Sequence, residues 1–271
     1  MSGMAELVRD GVRISYEARG DGPALLLSNG YSATARMWDG QLAAFATRYR
    51  VITWDMRGHG QSDSPDDPAA YSEEATVADM AAILDATEVD RAAIGGLSLG
   101  GYMSLAFHAA HRDRTAALLL FDTGPGYRKE EPRAGWNARA ERAAQAFDAR
   151  GLEALGRSAE VRVSTHRSAR GLALAARGMM AQRDARIIDS LATIGVPTLV
   201  LVGEDDTAFL APADYMAAKI PGATKVVLAG AGHAANIDQP DAFNAAVLEF
   251  LGGAYPSGPR AASRTSTDGA K

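Results

Sequence analysis

The sequence predicts an α/β fold: a mostly parallel, doubly wound sheet of eight strands, flanked by helices and interrupted by one helical insertion. Three observations predict it. Short apolar runs alternate with helical patterns along most of the chain, which is typical of parallel sheets. A hairpin pattern precedes this alternation. A long stretch without apolar runs separates the last two predicted strands from the earlier ones.

The first half of the chain supplies six of the predicted strands. Residues 6–9 and 12–19 alternate apolar and polar side chains around Asp10-Gly11, a dipeptide typical of tight hairpin turns. The later strands are continuously apolar, as in sheets buried on both faces. They are residues 24–28, 49–54, 91–97 and 115–121, and the helices between and after them are residues 35–47, 73–86 and 102–110.

The second half begins with a different pattern. Residues 124–190 contain only amphipathic helical patterns with glycine breaks, so we expect a helical cap insertion there. Strands at 196–202 and 225–228 and helices at 211–219 and 241–251 then follow. We therefore expect a core of residues 1–123 and 191–252. Residues 253–271 are polar and rich in Gly, Ser and Pro, which predicts a disordered tail.

Composition narrows the class of protein. The 271 residues carry a net charge of −5, which disfavours nucleic acid as a partner, and include no cysteine, which excludes disulfides and thiolate chemistry. No apolar run approaches the roughly 20 residues of a membrane helix, and the N-terminus lacks a secretory pattern. We expect a cytoplasmic protein that needs neither metal nor cofactor. The oligomeric state stays open.

The motif Gly96-x-Ser98-x-Gly100 lies where a predicted strand runs into a predicted helix. This is the pattern of a nucleophile elbow, a strained turn that lifts a serine hydroxyl above the edge of a sheet. Glycine is needed on both sides because the two positions nearly touch. With 28 glycines in the chain, the motif alone is weak evidence.

Four further motifs accompany the elbow at residues 96–101 in a characteristic order. They are residues 37–39, 57–62, 203–206 and 230–233. With these five motifs the chain resembles the α/β-hydrolase superfamily. Within that superfamily it is most similar to compact carboxylesterases and 3-oxoadipate enol-lactonases, which share a loop that begins with Asn. The resemblance implies the α/β-hydrolase fold.

A nucleophilic serine needs a base, and the base needs an acid to hold its tautomer. His233 follows a predicted strand in a loop of small residues, and its imidazole suits proton transfer near neutral pH. The family order of serine, acid and histidine implies the triad Ser98, Asp206 and His233. Asp205 is the alternative acid, because a shift of one residue in a loop is easily misread.

An oxyanion hole needs two backbone N–H groups. We expect Leu99, at the start of the elbow helix, and Tyr31, in the loop after the third strand, to supply them. That loop carries Asn29-Gly30, whereas the commonest family pattern has His-Gly. Candidate pocket residues are Asn29, Trp38, Trp136 and Met179. For the last three of these, packing is the alternative role.

These residues predict a serine hydrolase that cleaves a small-molecule ester or lactone through an acyl-enzyme on Ser98. Serine at the elbow disfavours branches of the family that use aspartate as the nucleophile. Perhydrolase, carbon–carbon hydrolase and lyase reactions use the same triad and stay open, as does a receptor that keeps the triad without efficient turnover. Neither the acyl nor the alcohol part of the substrate follows from the sequence.

Overall fold

The computed structural model describes residues 4–256, which contain one eight-stranded sheet. All neighbouring strands are parallel except for the pairs that involve the second strand, so the predicted mostly parallel sheet with an initial hairpin is confirmed. In chain order the strands are β1 (Ala5–Arg9), β2 (Val12–Arg19), β3 (Ala24–Ser28), β4 (Arg50–Trp54), β5 (Ala92–Leu97), β6 (Thr115–Phe121), β7 (Thr198–Gly203) and β8 (Thr224–Leu228).

Across the sheet the strands lie in the order β1-β2-β4-β3-β5-β6-β7-β8. The central strands β3, β5, β6 and β7 are buried along their whole length, whereas the edge strands β1 and β8 expose side chains. Because parallel strands end at one edge of a sheet, the loops after β3, β5, β6, β7 and β8 all lie along the same edge.

Helices cover both faces of this sheet. The α-helices of the described chain are α1 (Asp39–Phe45), α2 (Glu73–Ala86), α3 (Leu99–Ala110), α4 (Glu130–Arg150), α5 (Ala159–Arg162), α6 (Ala169–Ala175), α7 (Arg186–Ser190), α8 (Thr207–Lys219), α9 (Ala235–Asp238) and α10 (Pro240–Ala254). Short 3-10 or π segments lie at Ala35–Trp38, Pro68–Ala70, Gly151–Ala154, Ala176–Met180 and Leu191–Thr193.

Successive side chains of the central strands enter two separate apolar cores, as the alternation of a β-strand requires. Leu26 contributes to the core shared with α2 and α3, whereas Leu25 and Leu27 contribute to the core shared with α1 and α10. Burial on both faces explains the continuous apolar runs in the sequence.

Residues 124–190 form most of the connection between β6 and β7, and every regular element among them is helical. We call them the interstrand segment. Helix α4 packs on α6, and a small apolar cluster that includes Phe147 and Leu172 joins them. Tyr31, from the loop after β3, packs against this cluster, and its hydroxyl donates a hydrogen bond to the Leu172 carbonyl at 2.9 Å. The segment therefore lies over the loop after β3.

Two predicted boundaries need correction. Helix α8 begins at Thr207 instead of residue 211, and Pro212 lies inside it. The disordered tail was expected from residue 253, but α10 continues to Ala254, and Tyr255 stacks on Tyr49 with ring centroids 6.4 Å apart. Packing against a buried aromatic ring extends the folded chain past the two glycines. The rest of the predicted tail, residues 257–271, lies outside the described residues.

None of the helices within residues 4–256 is both long and apolar enough to cross a membrane.

The turn between β5 and α3 predicts one stability effect. A Cβ on Gly100 would lie 2.2 Å from the Ser28 carbonyl oxygen, a backbone atom of a central strand. We expect Gly100→Ala to lower the free energy of unfolding by about 1–3 kcal/mol or more, because the strand must move. Denaturant unfolding followed by circular dichroism measures the change.

Gly135→Ala is the matched control, since an added Cβ on this exposed residue of α4 meets no atom of the described chain within 4 Å. This variant should gain up to about 1 kcal/mol from helix propensity. Equal stability of Gly100→Ala and the wild type would contradict the close approach of α3 to β3.

Candidate active site

Ser98 lies in a strained turn between β5 and α3. Its backbone has φ +56° and ψ −114°, a conformation that residues other than glycine rarely adopt. The surroundings hold it there: its N–H donates to the Phe121 carbonyl at 2.9 Å, and its own carbonyl accepts from the N–H groups of Gly101 and Tyr102. The half-buried hydroxyl thus sits at the carboxyl edge of the sheet, where strain of this kind marks functional sites.

His233 comes from the loop after β8 and meets a carboxylate from the loop after β7. Its Nδ1 lies 2.7 Å from Asp206 Oδ2, and Asp206 is 7% exposed. Asp205 is exposed instead, and its backbone N–H donates to the Ala231 carbonyl at 2.9 Å, which ties the two loops together. The side chain against His233 is therefore that of Asp206.

Burial and the neighbouring Asp206 shift the pKa of His233 in opposite directions. Burial disfavours the imidazolium, but the hydrogen bond and the negative charge of Asp206 outweigh it, so the pKa of His233 is raised above its ordinary value. Phe209 stacks on the imidazole with centroids 5.1 Å apart. Within the described residues, no hydrogen bond joins Ser98 Oγ to His233. Such bonds often form only once a substrate is bound.

A third carboxyl group, which the sequence analysis missed, lies beside this pair. Asp122 follows β6 directly with φ +44°, and its Oδ1 accepts from the Gly203 N–H at 2.8 Å. Burial raises the pKa of Asp122 to about 8, although that hydrogen bond and the charge of His233 oppose the shift. Burial thus favours the protonated form of Asp122. Its position directly after a buried strand is the signal that could have identified it.

Two backbone N–H groups at this edge are free. Neither the Leu99 nor the Tyr31 N–H has a hydrogen-bond acceptor among residues 4–256. A Cβ added to Gly30 would lie 3.6 Å from Ser98 Cβ, so the loop after β3 runs directly against the elbow. Asn29 shapes this loop, because its Nδ2 donates to the carbonyls of Gly30 and Ala33 at 2.9 and 2.6 Å.

Two histidines form hydrogen bonds with the backbone of Ser32, in the same loop after β3. His59 Nε2 accepts from the Ser32 N–H at 3.1 Å, so its Nδ1–H donates to the Arg57 carbonyl. His166, from the interstrand segment, accepts from the Gly60 N–H at Nδ1 and donates from Nε2 to the Ser32 carbonyl at 3.0 Å. Burial lowers the pKa of His59 to about 3, which keeps it neutral and able to accept. His59 therefore holds the loop after β3 in place.

A cavity of about 280 Å³ opens at Ser98. The interstrand segment and helix α8 supply most of its wall, which is largely apolar and aromatic. The lining residues used below are Ser98, Leu99, Trp136 and Phe209.

Three of the four predicted pocket residues do not line this cavity. Trp38 is fully buried in the core on the α10 face, with ring centroids 6.0 Å from Phe121 and 6.3 Å from Phe243. Asn29 is fully buried beneath its own loop, and Met179 points into the core while the neighbouring Met180 lines the cavity. Trp136 does line it, and its Nε1 donates to the Met180 carbonyl at 2.8 Å.

Within the described residues, no group of three or more His, Cys, Asp or Glu side chains is arranged to hold a metal ion.

A strained serine turn at the carboxyl edge of a mostly parallel sheet, with a paired histidine and carboxylate on the same edge, defines the α/β-hydrolase class of protein. A family model described as alpha/beta hydrolase matches residues 25–246. The chain therefore belongs to the α/β-hydrolase family, and the predicted superfamily is confirmed.

Individual relatives agree with this assignment. The chain is 30% identical to 3-oxoadipate enol-lactonase 1 of Acinetobacter baylyi over 257 residues, which cover 87% of this chain and 91% of the relative. A solved enol-lactonase from Burkholderia xenovorans is 30% identical with a TM-score of 0.73, covering 91% of this chain and 99% of that one. An esterase from Thermogutta terrifontis is 28% identical with a TM-score of 0.77, covering 92% and 98%.

Proposed function

We propose that this protein is a serine hydrolase that cleaves a carboxylic ester or a lactone through an acyl-enzyme on Ser98. The observation that carries the proposal is the pairing of His233 with Asp206 at 2.7 Å, on the sheet edge where the strained Ser98 turn ends. The similarity to enol-lactonases and to an esterase favours ester and lactone bonds among the reactions known on this fold.

In the proposed reaction, Ser98 Oγ attacks the substrate carbonyl and its proton passes to His233 Nε2. Asp206 holds the Nδ1–H of His233 and stabilises the imidazolium. The free N–H groups of Leu99 and Tyr31 donate hydrogen bonds to the carbonyl oxygen and stabilise the negative charge that develops on it. Leu99 lies at the N-terminus of α3, where the helix dipole also favours an anion.

When the tetrahedral intermediate collapses, His233 protonates the leaving alcohol, which for a lactone stays attached to the acyl chain. A water molecule, deprotonated by His233, then attacks the acyl-enzyme and releases the acid. Residues 124–190 would act as a cap, because they supply much of the wall of the cavity at Ser98.

The first test is hydrolysis of a panel of chromogenic esters and simple lactones by the wild type and by Ser98→Ala. We expect clear turnover by the wild type and a loss on the order of a thousandfold or more in the variant, since the nucleophile is removed. Ser158→Ala is the matched control, because this serine is exposed and does not line the cavity. Turnover that survives in Ser98→Ala would refute the acyl-enzyme.

The two neighbouring aspartates give a second test. Asp206→Asn should lower kcat on the order of a thousandfold or more, because His233 loses the group that fixes its tautomer. Asp205→Asn should keep close to the wild-type rate, since its exposed side chain does not contact His233. Steady-state kinetics on one good substrate give kcat for both variants. A larger loss of kcat in Asp205→Asn than in Asp206→Asn would assign the acid to Asp205.

The pH dependence of kcat/KM tests the base. His233 must be neutral to accept a proton, so activity falls as the pH drops through its pKa. Because that pKa is raised, the acid limb should have its midpoint above the ordinary value of about 6.5. Asp206→Asn should move the midpoint downward. A rate that stays flat from about pH 8 to about pH 5 would argue against His233 as the base.

A further inference from the structure

Phe209, which the proposed reaction does not use, contacts the face of the His233 ring. The two ring centroids are 5.1 Å apart and the ring planes meet at 24°, so the rings are stacked. Phe209 also lines the cavity at Ser98. This aromatic ring therefore touches both the proposed base and the space that a substrate would fill.

Helix α8 carries Phe209 in its first turn, together with the carboxylate that meets the edge of His233. Asp206 is the N-cap of α8, and its backbone carbonyl accepts the Phe209 N–H at 2.9 Å. The Asp206 carboxylate lies 2.7 Å from His233 Nδ1, while the Phe209 ring covers a face of the imidazole. One helical turn thus contacts the imidazole at its edge and on its face.

The Phe209 ring is supported by the protein core as well. Phe209 is half-buried and packs against the core shared with α2 and α3. A Cβ added to Gly124, the first residue of the interstrand segment, would lie 3.8 Å from Phe209 Cε1, an ordinary contact distance. The position of the ring against His233 is therefore fixed by its surroundings and does not depend on a bound ligand.

Three carboxyl groups act on the charge of His233. Burial lowers the pKa of His233, and the carboxyl groups that raise it are those of Asp206, Asp122 and Glu160. They belong to the loop after β7, to the end of β6 and to α5. Phe209 adds a different interaction, because the face of an aromatic ring is negative and attracts a cation within about 6 Å of the ring centroid. This attraction favours the imidazolium over the neutral imidazole.

We propose that Phe209 is a positioning residue, which supports one face of the His233 imidazole and stabilises the imidazolium by a cation–π contact. The imidazolium forms when the Ser98 hydroxyl proton passes to Nε2, and forms again when His233 deprotonates the water. The contact therefore lowers the barrier to both proton transfers. The inference rests on the proposed function for these two steps.

The first test measures the pKa of His233 without any substrate. NMR titration of the histidine ring protons gives this pKa, and His233→Asn identifies the signal among those of the five histidines. Phe209→Leu should lower the pKa by about 0.5 to 1, which corresponds to the loss of one cation–π contact. A pKa equal to that of the wild type would overturn the proposal.

Two further replacements separate the charge on the ring face from the bulk of the ring. Pentafluorophenylalanine at position 209 keeps the shape but withdraws negative charge from the face, so it should lower the pKa of His233 as Phe209→Leu does. Phe209→Tyr keeps the negative face and should keep the wild-type pKa. A pKa that falls in Phe209→Leu but not with the fluorinated ring would show that packing alone is responsible and would overturn the cation–π contact.

The matched control is Phe250→Leu. Phe250 is a half-buried phenylalanine of α10 that does not line the cavity. The same substitution there should leave the pKa of His233 unchanged. Circular dichroism checks that each variant is folded.

Kinetics connect the contact to the proposed reaction. In Phe209→Leu, kcat at about pH 9 should fall about threefold to tenfold, because the transition state loses part of the stabilisation of the imidazolium. The midpoint of the acid limb of kcat/KM should move downward together with the pKa of His233. Phe209→Tyr should restore both values, and Phe250→Leu should keep both.

The two measurements distinguish failure of this inference from failure of the proposed hydrolysis. A lowered pKa of His233 in Phe209→Leu, without any Ser98-dependent turnover by the wild type, would refute the hydrolase and support the contact. Turnover that depends on Ser98, with the wild-type pKa and kcat in Phe209→Leu, would support the hydrolase and overturn the role of Phe209.

Discussion

The site depends on how closely two glycines let the backbone of α3 approach β3 and β5. A Cβ on Gly96 would lie 2.5 Å from the Gly100 carbonyl carbon, and one on Gly100 would lie 2.2 Å from the Ser28 carbonyl oxygen. Without side chains at these positions, the helix can begin directly at the end of the strand. The close approach forces Ser98 into its strained conformation and leaves the Leu99 N–H at the free end of a helix.

The strain at Ser98 persists because the surrounding hydrogen bonds over-determine it. Its carbonyl accepts from two backbone N–H groups and from the Thr123 hydroxyl, and its N–H is bonded to β6. The loops that carry Asp206 and His233 are joined in the same way, since the Asp205 N–H bonds the Ala231 carbonyl. The backbone therefore fixes the position of each polar side chain before any substrate contact is made.

The sequence could predict what local patterns determine, namely the eight strands, the elbow and the loops that carry the aspartates and His233. Which carboxylate contacts His233 depends on the path of the loop after β7. The spacing of the motif alone left this choice open between Asp205 and Asp206. The residues that line the pocket were harder to predict from the sequence, because they depend on how the helices pack. Met179 and Met180 are adjacent in sequence but face the core and the cavity respectively. Asp122 was missed because its raised pKa comes from burial in the folded protein.

The two histidines at Ser32 have a consequence for movement. His59 belongs to the core and His166 to the interstrand segment, yet both bond the backbone of Ser32, next to the Tyr31 N–H. Lifting the part of the segment around His166 away from the sheet would break the bond to the Ser32 carbonyl. Opening by that route would therefore loosen the loop after β3, whereas a hinge elsewhere in residues 124–190 would leave this hydrogen bond intact.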